Sequence, residues 1–475
     1  MLEPRKVRIG IAPTRRVIFS VPEALRYKKM LEDKLTSWDV DFVNIDAVNE
    51  EGLLVERTDV AKAVRLFQNA NVDGLFIPHM NFGTEDAVAR LARDLGKPTL
   101  LWAPRDEAPE PNGDRQRDAQ CGLFATSKIL RRMGVPFSYI VNSRIDSAVF
   151  ERGFKNFLGA AAAVSAFRGA RIGQVSTRPA AFWTMMINEG ELLERWGIEV
   201  VPATLSEVLS VAQKKIDDAD PAIDQQIQWI RANFQVGDVD EADMKKVAAL
   251  KLTLVEWAEE DGLDAIGLQC WSALQQDFGV FPCFAHGLIT DEGVPLTCET
   301  DVHGAAAAVM VQEAVHRDRS IFFADLTIRH PTDDNAELLW HCGPFPPSLA
   351  VKGKPKKLSG HYMNEGEPLA VGEWELEGGP ITVARFDGDN GHYQFLMGHG
   401  EGTTGPFTRG TYLWAKFANW PLWEERIIRG PYVHHVIGVH GQIAPVLYEA
   451  CRFLGIEPDC VDPTEAEIQA WLRGE

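Results

Sequence analysis

The chain has 475 residues, of which 45% are apolar and 24% are charged, and its formal net charge is −20. A chain of this length is too long for one ordinary hydrophobic core and predicts two or three domains. The negative charge repels nucleic-acid phosphates and anionic lipid, which argues against both as partners and leaves small-molecule substrates open.

The N-terminal sequence MLEPRKVRIGIAPTRR has no apolar signal core, and no run of about eighteen apolar residues occurs in the chain. We therefore expect neither export nor a membrane span. The seven cysteines are scattered and contain no CxxC pair. This usage fits reduced thiols, so the expected location is the cytoplasm.

Short apolar runs alternate with longer amphipathic segments such as TEDAVARLARDLG in the first part of the chain. The runs cover residues 7–12, 74–78, 99–102 and 138–141. A second series begins at Arg171 and continues through RIGQVS, GIEVVPA, DAIGLQC and SIFFADL. Strand–helix alternation predicts parallel sheets with helices on both faces, here as two Rossmann-like α/β units that divide near residue 170.

The sequence changes character after about residue 345, where glycine, turn residues and short alternating segments replace the helical patterns. This composition predicts a smaller antiparallel β-rich domain, barrel-like in form, closed by the helix QIAPVLYEACRFLG. The predicted domains are residues 1–168, 169–345 and 346–475.

The segment PLTCETDVHGAA, residues 295–306, carries Glu299, Asp301 and His303 at every second position. If the segment is extended, the three side chains lie on one face just before a helix. Such a face is either a polar strand edge or part of a metal or acid/base site.

Further candidates stand at the ends of predicted strands, where open α/β sheets bind ligands. Gln269, Cys270 and Trp271 end one apolar strand, although a core cysteine and a tryptophan packed against a loop are the more common explanation. Asp325 follows the apolar run IFFA; it is either a site carboxylate or a turn or N-cap residue. His341 in LLWHCG is either a core histidine or a site group.

Three histidines, His434, His435 and His440, lie in GPYVHHVIGVHGQ. Adjacent residues on a strand point to opposite faces, so at most one of the first two faces a given site. The chain has no GxGxxG after its first strand, no GxxxxGK[ST] and no GxSxG. Two carboxylates with a histidine suit a hard ion such as Mn²⁺ or Mg²⁺ better than a thiolate zinc site.

Several stretches, taken in order, resemble the L-fucose isomerase-like family, which is related to the L-fucose and L-arabinose isomerases. They are CGLFATSKILRRMGVPF, RPAAFWTMMINEGELLERWGIEVVP, GLQCWSALQ, TCETDVHGA, FFADLTIRH, LLWHCG and YVHHVIGVHGQ. The resemblance implies two α/β domains, a β-rich domain that carries the last ligand, and Mn²⁺ bound by Glu299, Asp325 and a histidine. Between the adjacent histidines we favour His435; Mg²⁺ and Co²⁺ are alternative ions.

The resemblance also implies aldose–ketose interconversion through a cis-enediol, with Glu299 and Asp325 as both metal ligands and acid/base groups. Asp301 and His303 then become neighbours of the ligands. It implies trimers or hexamers in which neighbouring subunits line the pocket. The residues expected to bind the sugar substrate are Gln269, Trp271, Arg178, Glu189, His341 and His434.

Two other classes of function remain open from the sequence. A metal-dependent epimerase or lyase uses the same enediolate, and a sugar-binding protein without turnover has similar tandem α/β domains. The acidic pair favours an enzyme, because a binder has no need of it. The 26 positions from Glu299 to Asp325 accommodate one helix and one strand, which predicts a crossover between parallel strands that end on the same rim.

Overall fold

The computed structural model describes residues 5–237, 239–270, 272–361 and 369–475, so the predicted site residue Trp271 lies outside the described residues. The chain forms two compact units. The N-terminal unit comprises residues 5–165, 448–455 and 465–475, and the central unit comprises residues 166–447 and 456–464. The domain boundaries at residues 168 and 345 remain predictions.

The N-terminal unit contains a parallel five-stranded sheet with the order β2-β1-β3-β4-β5. Its elements are β1 (Arg8–Ile11), α1 (Val21–Ser37), β2 (Asp41–Asn44), α2 (Arg57–Asn69), β3 (Gly74–Pro78), α3 (Glu85–Leu95), β4 (Thr99–Pro104), α4 (Ala119–Arg132), β5 (Ser138–Ser143) and α5 (Ala148–Phe167).

Sequence pattern explains these elements directly. Strands β3 and β4, GLFIP and TLLWAP, are buried at every position, as expected for parallel strands covered on both faces. Helix α3 buries one apolar face and ends at Gly96, whose left-handed conformation terminates the helix. The predicted first α/β series is confirmed.

The central unit begins with a second parallel sheet, of order β10-β9-β6-β7. The elements of this part are β6 (Arg171–Val175), α6 (Glu189–Trp196), β7 (Glu199–Ala203), α7 (Leu205–Asp217), α8 (Pro221–Asn233), β8 (Gln235–Val236), α9 (Glu241–Asp261), β9 (Ala265–Leu268), α10 (Ala273–Phe278), α11 (Cys283–Asp291), β10 (Leu296–Thr297) and α12 (Val302–Ala314).

The central unit continues into a closed antiparallel barrel of six strands, in the order β16-β15-β18-β11-β12-β17, which the pairing of β16 with β17 closes. The remaining elements are β11 (Phe322–Arg329), β12 (Ala336–His341), β13 (Lys357–Gly360), β14 (Leu369–Glu375), β15 (Gly379–Asp389), β16 (His392–Thr403), β17 (Thr411–Lys416), α13 (Trp420–Arg429), β18 (His435–His440), α14 (Ala444–Leu454), β19 (Glu457–Asp462) and α15 (Glu465–Arg473). The predicted fold class, two parallel α/β sheets and a barrel, is confirmed.

The FFADL segment does not continue the parallel series. Its strand, β11, pairs antiparallel with β12 and β18, whereas β10, just before Glu299, pairs with β9 in the parallel sheet. The predicted parallel crossover from Glu299 to Asp325 is therefore wrong. The turn sequence HPTDDN folds β11 and β12 into a hairpin, and an apolar strand pattern by itself does not specify its partner.

The C-terminal part holds more helix than the single one expected, since α13 and α15 accompany α14. The Asn419 side chain accepts a hydrogen bond from the backbone N–H of Leu422, and Pro421 stands in the first turn of α13. Both features are ordinary helix-start features. Among the helices of the described segments, none combines the length and apolar character needed to cross a lipid bilayer.

Glu449 is a buried carboxyl group in the N-terminal unit, with 4% of its surface exposed. The hydroxyl of Ser138 and the side-chain amide of Asn156 donate hydrogen bonds to it. Burial raises the pKa of Glu449 to about 7, although the Asn156 hydrogen bond and the charge of Arg452 act in the opposite direction. The folded chain therefore holds this proton at a pH where the unfolded chain has released it.

This proton predicts a pH-dependent stability. Because the folded pKa of Glu449 lies above the unfolded value, its contribution to stability is complete at low pH and is lost as pH rises through about 7. Relative to Glu449→Gln, the native protein should lose on the order of 3 kcal/mol between pH 4.5 and pH 8.5. Urea unfolding of both proteins across this range measures the difference. The exposed control Glu110→Gln should follow the native protein, and parallel curves for Glu449→Gln and the native protein would contradict the expectation.

Candidate active site

A cavity of about 620 Å³ lies in the central unit. Its lining includes the carboxylates of Glu299 and Asp325 and the imidazoles of His341, His434 and His435. Aromatic, thiol, hydroxyl and amide groups complete the lining, from Phe182, Cys270, Ser272, Gln275, Gln276, Phe281, Cys283, Trp340, Cys342 and His361.

Strand register brings Asp325 and His435 together. The two residues are direct partners across the antiparallel pairing of β11 with β18, so their side chains project from the same face of the sheet. Strand β18 begins at His435, and His434 precedes it. The His435 side chain is 1% exposed and the His434 side chain is 48% exposed, so only His435 is buried with the carboxylates.

Glu299 reaches the cavity from a turn, not from a strand. Glu299 and Thr300 both have left-handed backbone conformations, with φ of 53° and 62°, and β10 ends at Thr297. Asp301 then caps α12 by accepting a hydrogen bond from the Gly304 N–H at 2.8 Å. The extended face expected for Glu299, Asp301 and His303 is therefore wrong, since two successive left-handed residues end the strand.

The two carboxylates converge on one imidazole nitrogen. His435 Nε2 lies 3.5 Å from Asp325 Oδ1 and 3.7 Å from Glu299 Oε2. The Cys270 thiol donates to the other oxygen of Glu299, Oε1, at 3.3 Å. His341 Nε2 and His434 Nε2 each lie 3.9 Å from Asp325 Oδ1.

A buried network of hydrogen bonds and ion pairs contacts the Nδ1 side of His435. Its Nδ1 lies 2.9 Å from Asp301 Oδ2, and Arg385 on β15 donates to the same carboxylate. Arg385 also donates to Asp387 at 2.7 and 3.0 Å, and Asp387 contacts His303 Nδ1 at 2.9 Å. Burial alone would raise the pKa of Asp301, but the charge of Arg385 and the hydrogen bonds from His435 and Arg385 hold it well below its ordinary value.

This network orients the imidazole. An ionised Asp301 accepts the hydrogen on His435 Nδ1, so in the neutral ring the Nε2 lone pair faces Glu299 and Asp325. Burial disfavours the charged ring, yet the Asp301 hydrogen bond and the surrounding carboxylates raise the pKa of His435. The surroundings of Nε2 therefore attract positive charge.

The donor set fits a hard divalent cation. Asp325 Oδ1 is buried and has no hydrogen-bond partner among the described residues. Burial raises the pKa of Asp325 to about 7; the charge of His435 opposes this, and those of Glu299 and Asp301 add to it. A buried carboxylate in this position is stabilised by a cation. Two carboxylate oxygens and one imidazole nitrogen are ligands that Mn²⁺ and Mg²⁺ accept.

His341, like His435, directs its Nε2 toward Asp325, but the two rings differ in whether that nitrogen carries a hydrogen. Its Nδ1 accepts the backbone N–H of Cys342 at 2.9 Å. Burial, with repulsion from neighbouring histidines, lowers the pKa of His341 well below its ordinary value. The neutral ring therefore carries its hydrogen on Nε2, which makes it a donor toward Asp325 and not a lone-pair ligand.

The structure brings His341 and His434, of the predicted substrate-binding residues, to this cavity, but not three others. Gln269, Arg178 and Glu189 are not among the described residues that line it. The backbone N–H of Gln269 donates to Val175, Arg178 Nη1 lies 3.4 Å from the carbonyl oxygens of the two residues after it, and Glu189 is an exposed first residue of α6. Their binding roles, and that of Trp271, remain predictions.

Sequence reasoning missed Arg385 and Asp387. The pattern was visible, because these residues are the two charged positions within the buried stretch ITVARFDG of β15. Both fall on one face at period two. An arginine inside a strand that is buried at Ile381–Gly388 indicates an internal ion pair, although the pattern does not identify the partner.

Comparison with known proteins shows similarity to sugar isomerases. Residues 10–168 match the model of the fucose/sulfoquinovose isomerase N-terminal domain. A sulfoquinovose isomerase of Priestia aryabhattai is 24% identical over 81% of this chain and 85% of its own length. One from Alkalicoccus urumqiensis is 22% identical over 69% of this chain and 72% of its own length.

Among solved structures, the chain also matches a periplasmic solute-binding protein from Actinobacillus succinogenes with bound D-allose. The alignment covers 65% of this chain and 92% of that protein, with 13% identity and a TM-score of 0.16. That score is too low for any inference.

The fold and the two isomerase matches define an enzyme of the aldose–ketose isomerase class. They confirm the resemblance to the L-fucose isomerase-like family that the motifs indicated.

The Arg385 ion pairs predict a large effect on stability. Arg385→Met leaves the buried carboxylates of Asp301 and Asp387 without their cation, which should cost about 3–5 kcal/mol of unfolding free energy. Urea denaturation measures the loss. The surface pair of Arg429 with Glu425 is the control, because Arg429→Met should change stability by less than about 1 kcal/mol. Equal effects of the two substitutions would contradict the role assigned to Arg385.

Proposed function

We propose that the protein is a metal-dependent aldose–ketose isomerase that acts on a monosaccharide or sugar derivative through a cis-enediol. The observation that supports this most is the approach of Asp325 Oδ1 and Glu299 Oε2 to His435 Nε2, at 3.5 and 3.7 Å. Paired carboxylates beside an oriented imidazole provide both metal ligands and proton-transfer groups.

Glu299, Asp325 and His435 would hold the ion, with Mn²⁺ favoured and Mg²⁺ or Co²⁺ as alternatives. When bound, such an ion polarises a carbonyl group and acidifies the neighbouring C–H bond. Asp301 acts through His435, because its hydrogen bond to Nδ1 keeps Nε2 directed at the site.

The proton chemistry belongs to the two carboxylates. One of Glu299 and Asp325 moves the proton between C1 and C2 of the open-chain sugar, and the other handles the proton on oxygen. His341 presents its Nε2 hydrogen toward the same side of the cavity and would donate to a sugar oxygen. Trp340, whose ring is parallel to that of His341 within 5°, adds an apolar face suited to sugar C–H groups.

The substrate is proposed as an aldose of the kind that its relatives use. The matched family model names fucose and sulfoquinovose, and the curated relatives are sulfoquinovose isomerases. The first assay therefore compares neutral aldoses, L-fucose among them, with sulfoquinovose.

We also propose a cytoplasmic location and three domains divided near residues 168 and 345.

The test of function is turnover with Mn²⁺ in deuterated water, followed by NMR. We expect a ketose product with deuterium at C1 or C2; an epimer or a cleaved sugar would instead identify the epimerase or lyase. Glu299→Gln should lose bound Mn²⁺ and lower kcat/KM by more than about 100-fold, because it removes a ligand and an acid/base group.

The matched control for Glu299→Gln is Glu449→Gln, which alters a buried carboxyl group of the N-terminal unit. This control should retain metal and turnover. Full Mn²⁺ occupancy in Glu299→Gln would rule out Glu299 as a ligand.

The choice between the two adjacent histidines is tested separately. His435→Asn should abolish tight Mn²⁺ binding, because the buried nitrogen next to both carboxylates is lost. His434→Asn should bind Mn²⁺ like the native protein, since His434 is half exposed and precedes the strand. Isothermal titration with Mn²⁺ measures both affinities. The Mn²⁺ affinity of Asp301→Asn should lie between those of the two histidine variants, roughly 10- to 100-fold below that of the native protein.

We further propose a homotrimer or homohexamer, as the family resemblance implies. The net charge of −20 does not prevent assembly when apolar surface is buried between subunits. Light scattering at micromolar concentration should give three or six times the 52.8 kDa chain mass. A monomer under these conditions would contradict the proposal.

A further inference from the structure

Two thiols face each other in the wall of the cavity. Cys283 Sγ and Cys342 Sγ lie 3.2 Å apart, and both residues line the cavity. Cys283 is the first residue of α11, and Cys342 directly follows β12. The two residues are 59 positions apart in sequence, so only the folded chain brings the sulfurs together.

We infer that Cys283 and Cys342 form a redox modification site at which a peroxide converts the two thiols to a disulfide. The Cys342 thiolate attacks one peroxide oxygen, the O–O bond breaks, and sulfenic acid and water form. The Cys283 thiol then attacks the sulfenic sulfur; the S–S bond forms, the S–O bond breaks, and a second water leaves. In total two thiols lose two protons and two electrons, and one hydrogen peroxide accepts them and is reduced to two waters.

Exposure decides which sulfur reacts first. Cys342 is partly exposed, whereas Cys283 is 1% exposed. A peroxide in the cavity therefore reacts with Cys342 first, and Cys283 then acts as the resolving thiol. The contact with Cys283 and burial raise the pKa of Cys342. The reaction therefore needs excess oxidant, because only the thiolate is nucleophilic.

A competing pair exists in the same region. Cys270 and Cys298 lie within 4.8 Å of one another. Cys270, however, donates to Glu299 Oε1 at 3.3 Å, and Cys298 is fully buried with its sulfur 3.4 Å from His286 Nδ1. Neither residue of this pair is partly exposed as Cys342 is, since Cys270 is 3% and Cys298 is 0% exposed. The observations thus favour the pair formed by Cys283 and Cys342.

The disulfide would act on the site through His341. The Cys342 N–H donates to His341 Nδ1 at 2.9 Å, and Cys342 Sγ lies 3.2 Å from that nitrogen. An S–S bond of about 2.05 Å requires the sulfurs to close by roughly 1 Å. This closure draws Cys342 toward α11 and moves the imidazole that stands 3.9 Å from Asp325.

The chemical test uses the native protein and hydrogen peroxide. Reduced protein is treated with excess peroxide, alkylated and digested, and its peptides are identified by mass spectrometry. We expect a cross-linked peptide pair containing Cys283 and Cys342, two hydrogens lighter than the reduced peptides and separated again by dithiothreitol. Alkylation of both thiols after treatment, a Cys270–Cys298 link, or sulfinic acid without a link would each overturn the inference.

The functional test rests on the proposed isomerase activity. Oxidation of the native protein should lower kcat/KM by roughly 10- to 100-fold, as expected for a displacement near 1 Å at a substrate-contacting group, and dithiothreitol should restore it. Cys283→Ser should resist this reversible loss, whereas Cys121→Ser, which changes an exposed cysteine, should behave as the native protein. Unchanged activity of the cross-linked protein would refute the effect on the site. If reduced protein converts no aldose, the proposed function fails, while the cross-link is still decided by mass.

Discussion

A single buried guanidinium, that of Arg385, joins the parts of the central unit on which the site depends. It stands on barrel strand β15 and donates to Asp301, the residue that begins α12, and to Asp387 on its own strand. Asp301 in turn contacts His435 on β18. One cation therefore fixes a helix start, two barrel strands and the imidazole of the site.

The sequence around Asp301 is shaped by this interaction. A Cβ atom at Gly304 would lie 2.5 Å from the Asp301 carboxylate and 3.0 Å from Arg385 Nη1, so the position accepts only glycine without movement. Helix α12 is buried at every residue and packs against β9 of the parallel sheet and β15 of the barrel. Its small residues permit this close approach, because alanine and glycine leave room on all sides of the helix.

The electrostatics of the site follow from how deeply it is buried. Glu299, Asp301 and His435 are at most 5% exposed, and charges in such surroundings must be compensated. Arg385 compensates Asp301 on one side of His435. On the other side, Asp325 Oδ1 is buried and has no hydrogen-bond partner among the described residues, so this position favours a divalent cation.

His341 connects this acidic region with the thiol pair. Its Nε2 is directed toward Asp325, and its Nδ1 is held by the backbone of Cys342. A change in the oxidation state of Cys342 would therefore occur next to His341, a residue that lines the cavity. The reduced thiols that the cysteine usage indicated are the state from which this oxidation starts.

The sequence by itself determined much of this protein. Apolar periodicity gave the strands and helices of both parallel sheets, because burial on two faces leaves continuous runs such as GLFIP in the local sequence. Motifs such as TCETD and FFADL singled out Glu299 and Asp325, which the fold brings to one cavity. The sequence also left two adjacent histidines as candidates for the third ligand of the proposed metal site. Only the tertiary structure decided that β11 belongs to the barrel, that Glu299 leaves its strand through two left-handed residues, and that Arg385 binds Asp301 across 84 positions. Strand partners, buried ion pairs and thiol contacts are set by packing between distant segments, and a local pattern does not encode which distant segment becomes the neighbour.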